Sequence, residues 1–585
     1  MSIFKLSNLL LSKIILSIDD NGDIICLLLT CKRLYSQNNS SVRRSIQFKG
    51  IKPIKDNGQQ SLRFRVTFNQ FKLLSFNDIL ENSVSDQYVI LPDVYYLSEY
   101  PKCIQDRISA NRDNIKGIST ALVNHDRSIV SAKKLCDKTW ATLYKMSSIE
   151  TLFINHQDVL DLGSISLLPN LQRLSMNATK LNLGPHPFLK YLTLDIATLC
   201  PLGDLGLDKF VSLTDLSFKN YFVTDVSGLL LPSNLTSLTL RLQEIPPPNA
   251  FLSLTSLVKL KIYLRWQPTI EQRCCIDLQS LCNLRSFMFC EVSNPTEYNE
   301  NFPEIIVSPS IKILHLSSDY VQIPSQCRLP LLEKLNVNHR LLADEKVSTI
   351  LLSSPKIKEL VISSHCLEPI QANIIPPTIE KLTILKYTKR IILDQVVLPP
   401  SLTDLTILGP YEPIKLPKSL IKLRQELQQT FDQDALVSLS QHVDLKELVL
   451  ISEKDKIVVL PSPYPPNLET LNLVEIFGDH TIQVPLTIKY LSIRLKRTPN
   501  TFIYSISSRI TDPIISQQWL PMNTTHLTCT FTHHLRISFR LDQVINHTSV
   551  TNLYLIPSDQ YITFHFTIQR LDSDNKNVLS TTTTI

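Results

Sequence analysis

The chain has 585 residues, several times the size of an ordinary domain, so it is either a string of domains or one repetitive fold. Apolar residues make up 43% and charged residues 19%, a balance that fills a core and excludes disorder throughout. A net charge of +6 with no run of five Lys/Arg provides no stripe for tracking phosphates, so nucleic acid is not an expected partner.

The N-terminal segment Ile3 to Ile18 is apolar, but Lys5 and Lys13 interrupt it and no small-residue cleavage site follows before Asp19 and Asp20. No stretch approaches the roughly 20 apolar residues needed to cross a bilayer, so no membrane span is expected. Twelve cysteines lack the C-x-x-C and histidine spacing of a zinc site. They read as reduced thiols of a cytoplasmic or nuclear protein, with no metal or other cofactor.

Within residues 1–48, Leu9, Leu10, Ile14 and Ile15 recur at helical spacing, Asp19 to Gly22 breaks the pattern, and Ile24, Ile25, Leu28, Cys31 and Tyr35 line a second helix. A small helical hairpin is expected, which either caps the main body of the chain or binds a partner. Residues 49–148 carry no clear repeat, although Leu62, Phe64, Val66 and Phe68 alternate with polar neighbours like a half-exposed strand. They form a transition segment.

From residue 149 to 495 one pattern returns, L-x-x-L-x-φ, with φ aliphatic. It starts at Ile149, Leu171, Leu189, Leu213, Leu235, Leu257, Leu284, Ile311, Leu332, Ile357, Ile379, Leu402, Leu445, Leu468 and Ile488. The starts lie 18 to 27 residues apart with one wider gap, a solenoid period well short of the roughly 40 to 50 of propeller blades. In each copy the second and third apolar residues alternate with polar ones, the signature of a strand with one buried face, while the first anchors the turn before it. No copy buries three such side chains alone, but stacked neighbours cover one another. Proline recurs two or three residues ahead of the anchor, as at Pro232, Pro400 and Pro466, fixing φ where the chain turns into the strand. Only 11 glycines are present, so the turns are stiffened without them. The pattern breaks near Leu420, where Gln425 replaces the third apolar residue and Arg424 to Ser440 reads as helical. Residues 496–571 hold weaker copies, near Thr524 to Cys529 and Val550 to Leu555, and residues 572–585, ending in Ser-Thr-Thr-Thr-Thr-Ile, have little to bury and are expected to fray.

The segments LPPSLTDLTILGPYEPIKLPKSLIKL (Leu398 to Leu423), IPPTIEKLTIL (Ile375 to Leu385) and YPPNLETLNL (Tyr464 to Leu473) resemble the FNIP-type leucine-rich repeats of social amoebae, with Tyr411 to Ile414 imitating the Phe-Asn-x-Pro-Ile element. The resemblance implies an α/β, strand-rich solenoid: an irregular leucine-rich-repeat horseshoe of parallel strands behind the N-terminal hairpin. The asparagine of ordinary leucine-rich repeats, three positions past the third apolar residue, is mostly replaced, as at Thr179 and Gln243, so no ladder is expected there. The hairpin itself resembles a divergent F-box, through the Ile14-Ile15 step, the Asp/Asn turn and the ending Cys31-Lys32-Arg33-Leu34-Tyr35. That resemblance implies docking onto a Skp-type adaptor of cullin-RING ubiquitin ligases through Leu9, Leu10, Ile14, Ile15, Ile24, Leu28, Cys31, Lys32 and Tyr35.

None of the common phosphate, dinucleotide, zinc-protease or hydrolase signatures occurs, and His533 and His534, being adjacent, point to opposite faces of a strand. No catalytic residue is expected. Function then rests on the side chains two, four and six positions after each anchor, which face away from the core. Candidates to hold an as yet unidentified protein on this concave face are Arg173, Tyr191, Lys259, Lys261, Tyr263, Arg265, Lys334, Tyr490 and Arg494, the densest group being Lys259 to Arg265. Six N-x-[ST] sequons occur, at Asn38, Asn39, Asn177, Asn234, Asn523 and Asn546; a glycan at Asn234 would crowd the stack.

Overall fold

The computed structural model describes residues 117–122 and, from 149 to 584, the strands together with most of the turns that lead into the principal ones. Residues 1–116 and 123–148, and parts of the connections after the strands, lie outside the described residues. The helical hairpin, the Leu62 to Phe68 strand and His533-His534 are therefore not described. The chain divides into two compact units, residues 1–310 and 311–585.

In the first unit the principal strands are β1 (Gly117–Leu122), β2 (Thr151–His156), β4 (Arg173–Ala178), β6 (Tyr191–Ile196), β8 (Asp215–Phe218), β10 (Ser237–Leu242), β11 (Lys259–Leu264) and β13 (Ser286–Glu291). Each pairs in parallel with the next, without a register slip: Leu152 faces Leu174, which faces Leu192, then Leu216, Leu238, Leu260 and Phe287. Short strands later in the repeat, β3 (Val159–Asp161) with β5 (Lys180–Asn182), β7 (Cys200–Pro201) with β9 (Val223–Thr224), and β12 (Cys275–Asp277) with β14 (Glu304–Ile306), form narrower parallel pairs. Two turns of 3₁₀ helix, Leu202–Leu205 and Leu207–Lys209, meet at Gly206, whose φ of 57° is the left-handed conformation glycine accepts without strain. Strand β1 lies in the segment expected to hold no repeat; its residues pair one for one with β2, Ile118 opposite Leu152.

The second unit stacks β15 (Ile313–Ser317), β16 (Lys334–Asn338), β17 (Glu359–Ser364), β18 (Lys381–Lys386), β19 (Asp404–Leu408), β20 (Lys422–Leu427), β21 (Glu447–Ser452), β22 (Thr470–Val474), β23 (Tyr490–Leu495), β24 (His526–Phe531) and β25 (Asn552–Pro557), again in parallel register. After β16 the usual extended connection is replaced by two short helices, α1 (His339–Ala343) and α2 (Glu345–Leu352). Asp344 caps the second by accepting the N–H of Lys346 and Val347, and α2 buries Val347, Ile350 and Leu351. The break expected near Leu420 is not a break: β20 pairs with both neighbours, and Leu420 and Leu423 are buried. Gln425 is buried as well, between Ile407 and Leu450, so a polar residue occupies an apolar column that strand pairing on both sides holds extended.

The direction reverses at the C-terminal end, where β26 (Phe564–Arg570) runs antiparallel to β25, and β27 (Val578–Thr584) antiparallel to β26. The tail expected to fray is thus a paired strand. The β-branched threonines suit a strand, and the adjoining β26 supplies the hydrogen-bonding edge that composition does not reveal. Arg570 fixes this end, donating to the carbonyls of Val550 (2.8 Å), Thr548 (2.6 Å) and Ile545 (3.3 Å).

The core is the set of repeated apolar positions. All fifteen anchors from Ile149 to Ile488 have 0% exposure. Most of them sit at the end of a β-turn that leads into the strand, the anchor N–H donating to the carbonyl three residues back, as Leu235 to Pro232, Leu402 to Pro399 and Ile488 to Pro485. Where proline takes that first place it lacks an N–H but keeps the carbonyl the turn uses. The residue just before the anchor ties one repeat to the last: Asn234, Asn283, Asn467 and Asn523 donate from Nδ2 to the carbonyls of Val211, Thr255, Val443 and Leu486 at 2.8 to 3.0 Å. Ser310, Ser401 and Ser419 reach the carbonyls of Leu284, Ile379 and Leu402 at 2.7 Å. The ladder missing from its usual place is rebuilt at this corner, at about 1 kcal/mol per bond. The Asn234 and Asn523 sequons hold rungs of it.

Candidate functional face

Alternation along each strand decides what points outward. In β10 the buried residues are Leu238, Leu240 and Leu242, leaving Ser237, Thr239 and Arg241 on the other face; in β11 Leu260, Ile262 and Leu264 are buried, leaving Lys259, Lys261 and Tyr263. These side chains tile the outer surface of the sheet in rows, because the parallel register places equivalent positions side by side about 4.8 Å apart.

In the first unit the row two positions after the anchor reads Arg173, Tyr191, Asp215, Ser237, Lys259, Ser286. The Arg173 guanidinium lies 4.1 Å from the centre of the Tyr191 ring, and that of Arg241 lies 4.9 Å from Tyr263, both cation–π contacts. Asp215 accepts a hydrogen bond from Thr214 Oγ1 at 2.9 Å. Lys259 sits between Ser237 and Ser286, and Lys261 between Thr239 and Met288; neither lysine makes an ion pair with a described residue. Tyr263 Oη donates to Met288 Sδ at 3.9 Å. Burial pushes the Cys290 thiol up to about 11, against the opposing pull of Lys261.

In the second unit the corresponding row is a ladder of alternating charge: Lys334, Glu359, Lys381, Asp404, Lys422, Glu447. Glu359 Oε1 is 2.7 Å from Lys334 Nζ and 3.5 Å from Lys381 Nζ, and Lys422 pairs with Glu447 at 3.0 Å. A parallel row one residue earlier pairs Lys312 with Glu333 and Lys358 with Glu380, both at 2.7 Å. Burial raises the Asp404 carboxyl above its ordinary value, and the ammonium groups of Lys381 and Lys422 offset this only in part. Such exposed pairs add little stability individually, but they occupy the lysines. Further along, the Tyr490 ring lies 4.6 Å from His526, and Tyr554 stacks on His565 at 4.3 Å.

The nine surface candidates are shared between the two units. Lys259, Lys261, Tyr263 and Arg265 share β11 and its end; Arg173 and Tyr191 lie on β4 and β6 of the same sheet; Lys334 and Tyr490 belong to the second unit, Lys334 already engaged by Glu359. For Arg494 only the strand position is described, in β23. Sequence reading missed Arg241 and Asp215, both signalled by their places six and two after the anchors Leu235 and Leu213. Among the described residues no group of three or more His, Cys, Asp or Glu is arranged to hold a metal ion, and no helix is long and apolar enough to cross a membrane. The adaptor candidates, Leu9 to Tyr35, lie outside the described residues.

No family model and no curated protein matches the chain. Among solved structures it is similar to CroV588, a circular leucine-rich-repeat protein (13% identity, 76% of this chain and 73% of that one, TM-score 0.32). It is also similar to a leucine-rich-repeat protein of Leptospira interrogans (16%, 78% and 93%, TM-score 0.31) and to the chain of a TLR13–ssRNA13 complex (15%, 79% and 63%, TM-score 0.36). The fold is assigned from its own strand register: a strand-rich parallel β-solenoid of the leucine-rich-repeat type.

Proposed function

We propose that this chain is a non-catalytic binding protein that holds another protein against the outer sheet face of its first unit, around β10, β11 and β13. One observation carries this reading. Lys259 and Lys261 stand side by side with no acidic partner among the described residues, whereas the lysines in the equivalent row of the second unit are matched by Glu359, Asp404 and Glu447. A self-neutralised row has little to offer a charged partner; an unmatched one beside Arg241 and Tyr263 combines charge with the Arg and Tyr side chains that anchor protein interfaces.

The finer role is substrate recognition within a Skp–cullin–F-box-type ubiquitin ligase in the cytoplasm or nucleus, with Leu9, Leu10, Ile14, Ile15, Ile24, Leu28, Cys31, Lys32 and Tyr35 docking the adaptor. Its support is the sequence resemblance of those residues, together with the FNIP-like pattern of Leu398 to Leu423. Affinity purification of the full chain, the chain lacking residues 1–48 and the Lys259→Glu/Lys261→Glu variant tests both parts. The expected result is loss of the Skp adaptor with the deletion and loss of a second, specific partner with the double variant. Undiminished adaptor recovery after the deletion leaves the N-terminal helices as a cap and the chain as a scaffold unconnected to ubiquitin.

A further inference from the structure

The order of charges along the first unit's row specifies more than a generally basic face. Arg173, Asp215 and Lys259 occupy the same register position on β4, β8 and β11, each separated from the next by one intervening strand, β6 or β10. At about 4.8 Å per strand the three charges follow one another at about 9.6 Å, positive, negative, positive. Two of their heads are held from the side: Arg173 by the Tyr191 ring, Asp215 by the Thr214 hydroxyl. Pre-set charges lose less freedom on binding than mobile ones.

A polyproline II segment has three residues per turn and rises about 3.1 Å per residue, so residues i, i+3 and i+6 share one face about 9.3 Å apart. That repeat matches the spacing of the row. We propose that this face binds an extended, proline-rich segment of a partner protein carrying acidic–x–x–basic–x–x–acidic side chains, laid across the strands from Arg173 to Lys259. Its two carboxylates meet Arg173 and Lys259, the second also within reach of Lys261, and its cation meets Asp215. Continuous polyanions are disfavoured because Asp215 stands in the middle of the row. This inference rests on the proposed use of the same face.

Fluorescence anisotropy of the full-length chain with two labelled peptides of identical composition tests the order. One is Pro-Glu-Pro-Pro-Lys-Pro-Pro-Glu-Pro, the other Pro-Lys-Pro-Pro-Glu-Pro-Pro-Glu-Pro. The first is expected to bind about tenfold more tightly at low salt, a preference of about 1.4 kcal/mol. Asp215→Lys is expected to abolish that preference, and Lys259→Glu with Lys261→Glu to weaken the first peptide by at least about tenfold. Equal binding of the two peptides overturns the proposed order, as does tighter binding of a single-stranded oligonucleotide. If neither peptide binds while the double variant still loses its partner in affinity purification, the face is in use and only the charge order is wrong. If partner capture is indifferent to the double variant, the proposed face fails as well.

Discussion

Leu238 and Thr239 are consecutive residues in the middle of β10 whose side chains the fold treats oppositely. Leu238 has 0% exposure and stands in register between Leu216 and Leu260, themselves almost fully buried, while Thr239 is on the outer face. Leu238→Ala removes three carbons, about 2.4 kcal/mol of transfer free energy at about 0.8 per methylene, before any cavity cost. Strand pairing on both sides prevents the neighbours from closing the gap, which puts the total in the upper part of the usual range, about 3.5 to 5 kcal/mol. Thr239→Ala removes a half-exposed side chain and should cost no more than about 0.5 kcal/mol. Urea unfolding of the two variants measures the difference. Because repeats couple mainly to their neighbours, hydrogen exchange in Leu238→Ala should quicken first in β8, β10 and β11. Equal losses from the two variants, or a larger loss from Thr239→Ala, would refute the assignment of faces.

Arg570→Met leaves the carbonyls of Val550, Thr548 and Ile545 without their guanidinium partner and should lower stability by about 2 to 4 kcal/mol, with exchange quickening in β25 and β26; an unchanged denaturation midpoint contradicts its end-fixing role. Burial lowers the His442 pKa, with a hydrogen bond to the Pro417 backbone acting the other way, so the folded state keeps this ring neutral. Its contribution is present above the ordinary histidine value and is lost as pH falls through the lowered one; His442→Gln should flatten that part of a stability–pH curve. Asp404 is shifted the opposite way, so its contribution is full below the ordinary aspartate value and lost as pH rises through the raised one. Asp404→Asn should therefore be slightly more stable than the parent at neutral pH and indistinguishable from it in acid, and a loss at neutral pH would mean that the flanking lysines outweigh burial.

The stack was legible because its cause is periodic: each leucine or isoleucine opening an L-x-x-L-x-φ copy is buried by copies of itself. Where a polar residue takes a repeated place, periodicity fails as a guide. Gln425 hid β20 and Thr120 stands where β1 would need its third apolar residue, yet both strands form, because neighbouring strands offer hydrogen bonds whatever the side chain. Helices α1 and α2 left a trace in Asp344 followed by Val347, Ile350 and Leu351, overlooked because their repeat keeps the ordinary length. β27 has no apolar pattern; its pairing depends on β26, distant from any motif. On the outer face, residue type pointed to the Lys259 to Arg265 group, but the engagement of Lys334 by Glu359 depends on which residues face one another across strands, which one copy at a time does not show.

The most direct test of the shared register is a cysteine scan along β10 and β11, residues 237 to 242 and 259 to 264, with exposed Cys282 replaced and the labelling of the chain's remaining native cysteines measured in the parent and subtracted. Stacked repeats predict that thiols at 237, 239, 241, 259, 261 and 263 label rapidly under native conditions, while those at 238, 240, 242, 260, 262 and 264 stay protected until the chain unfolds. Uniform labelling, or alternation out of phase between the two strands, would mean that the repeated leucines do not share one interior.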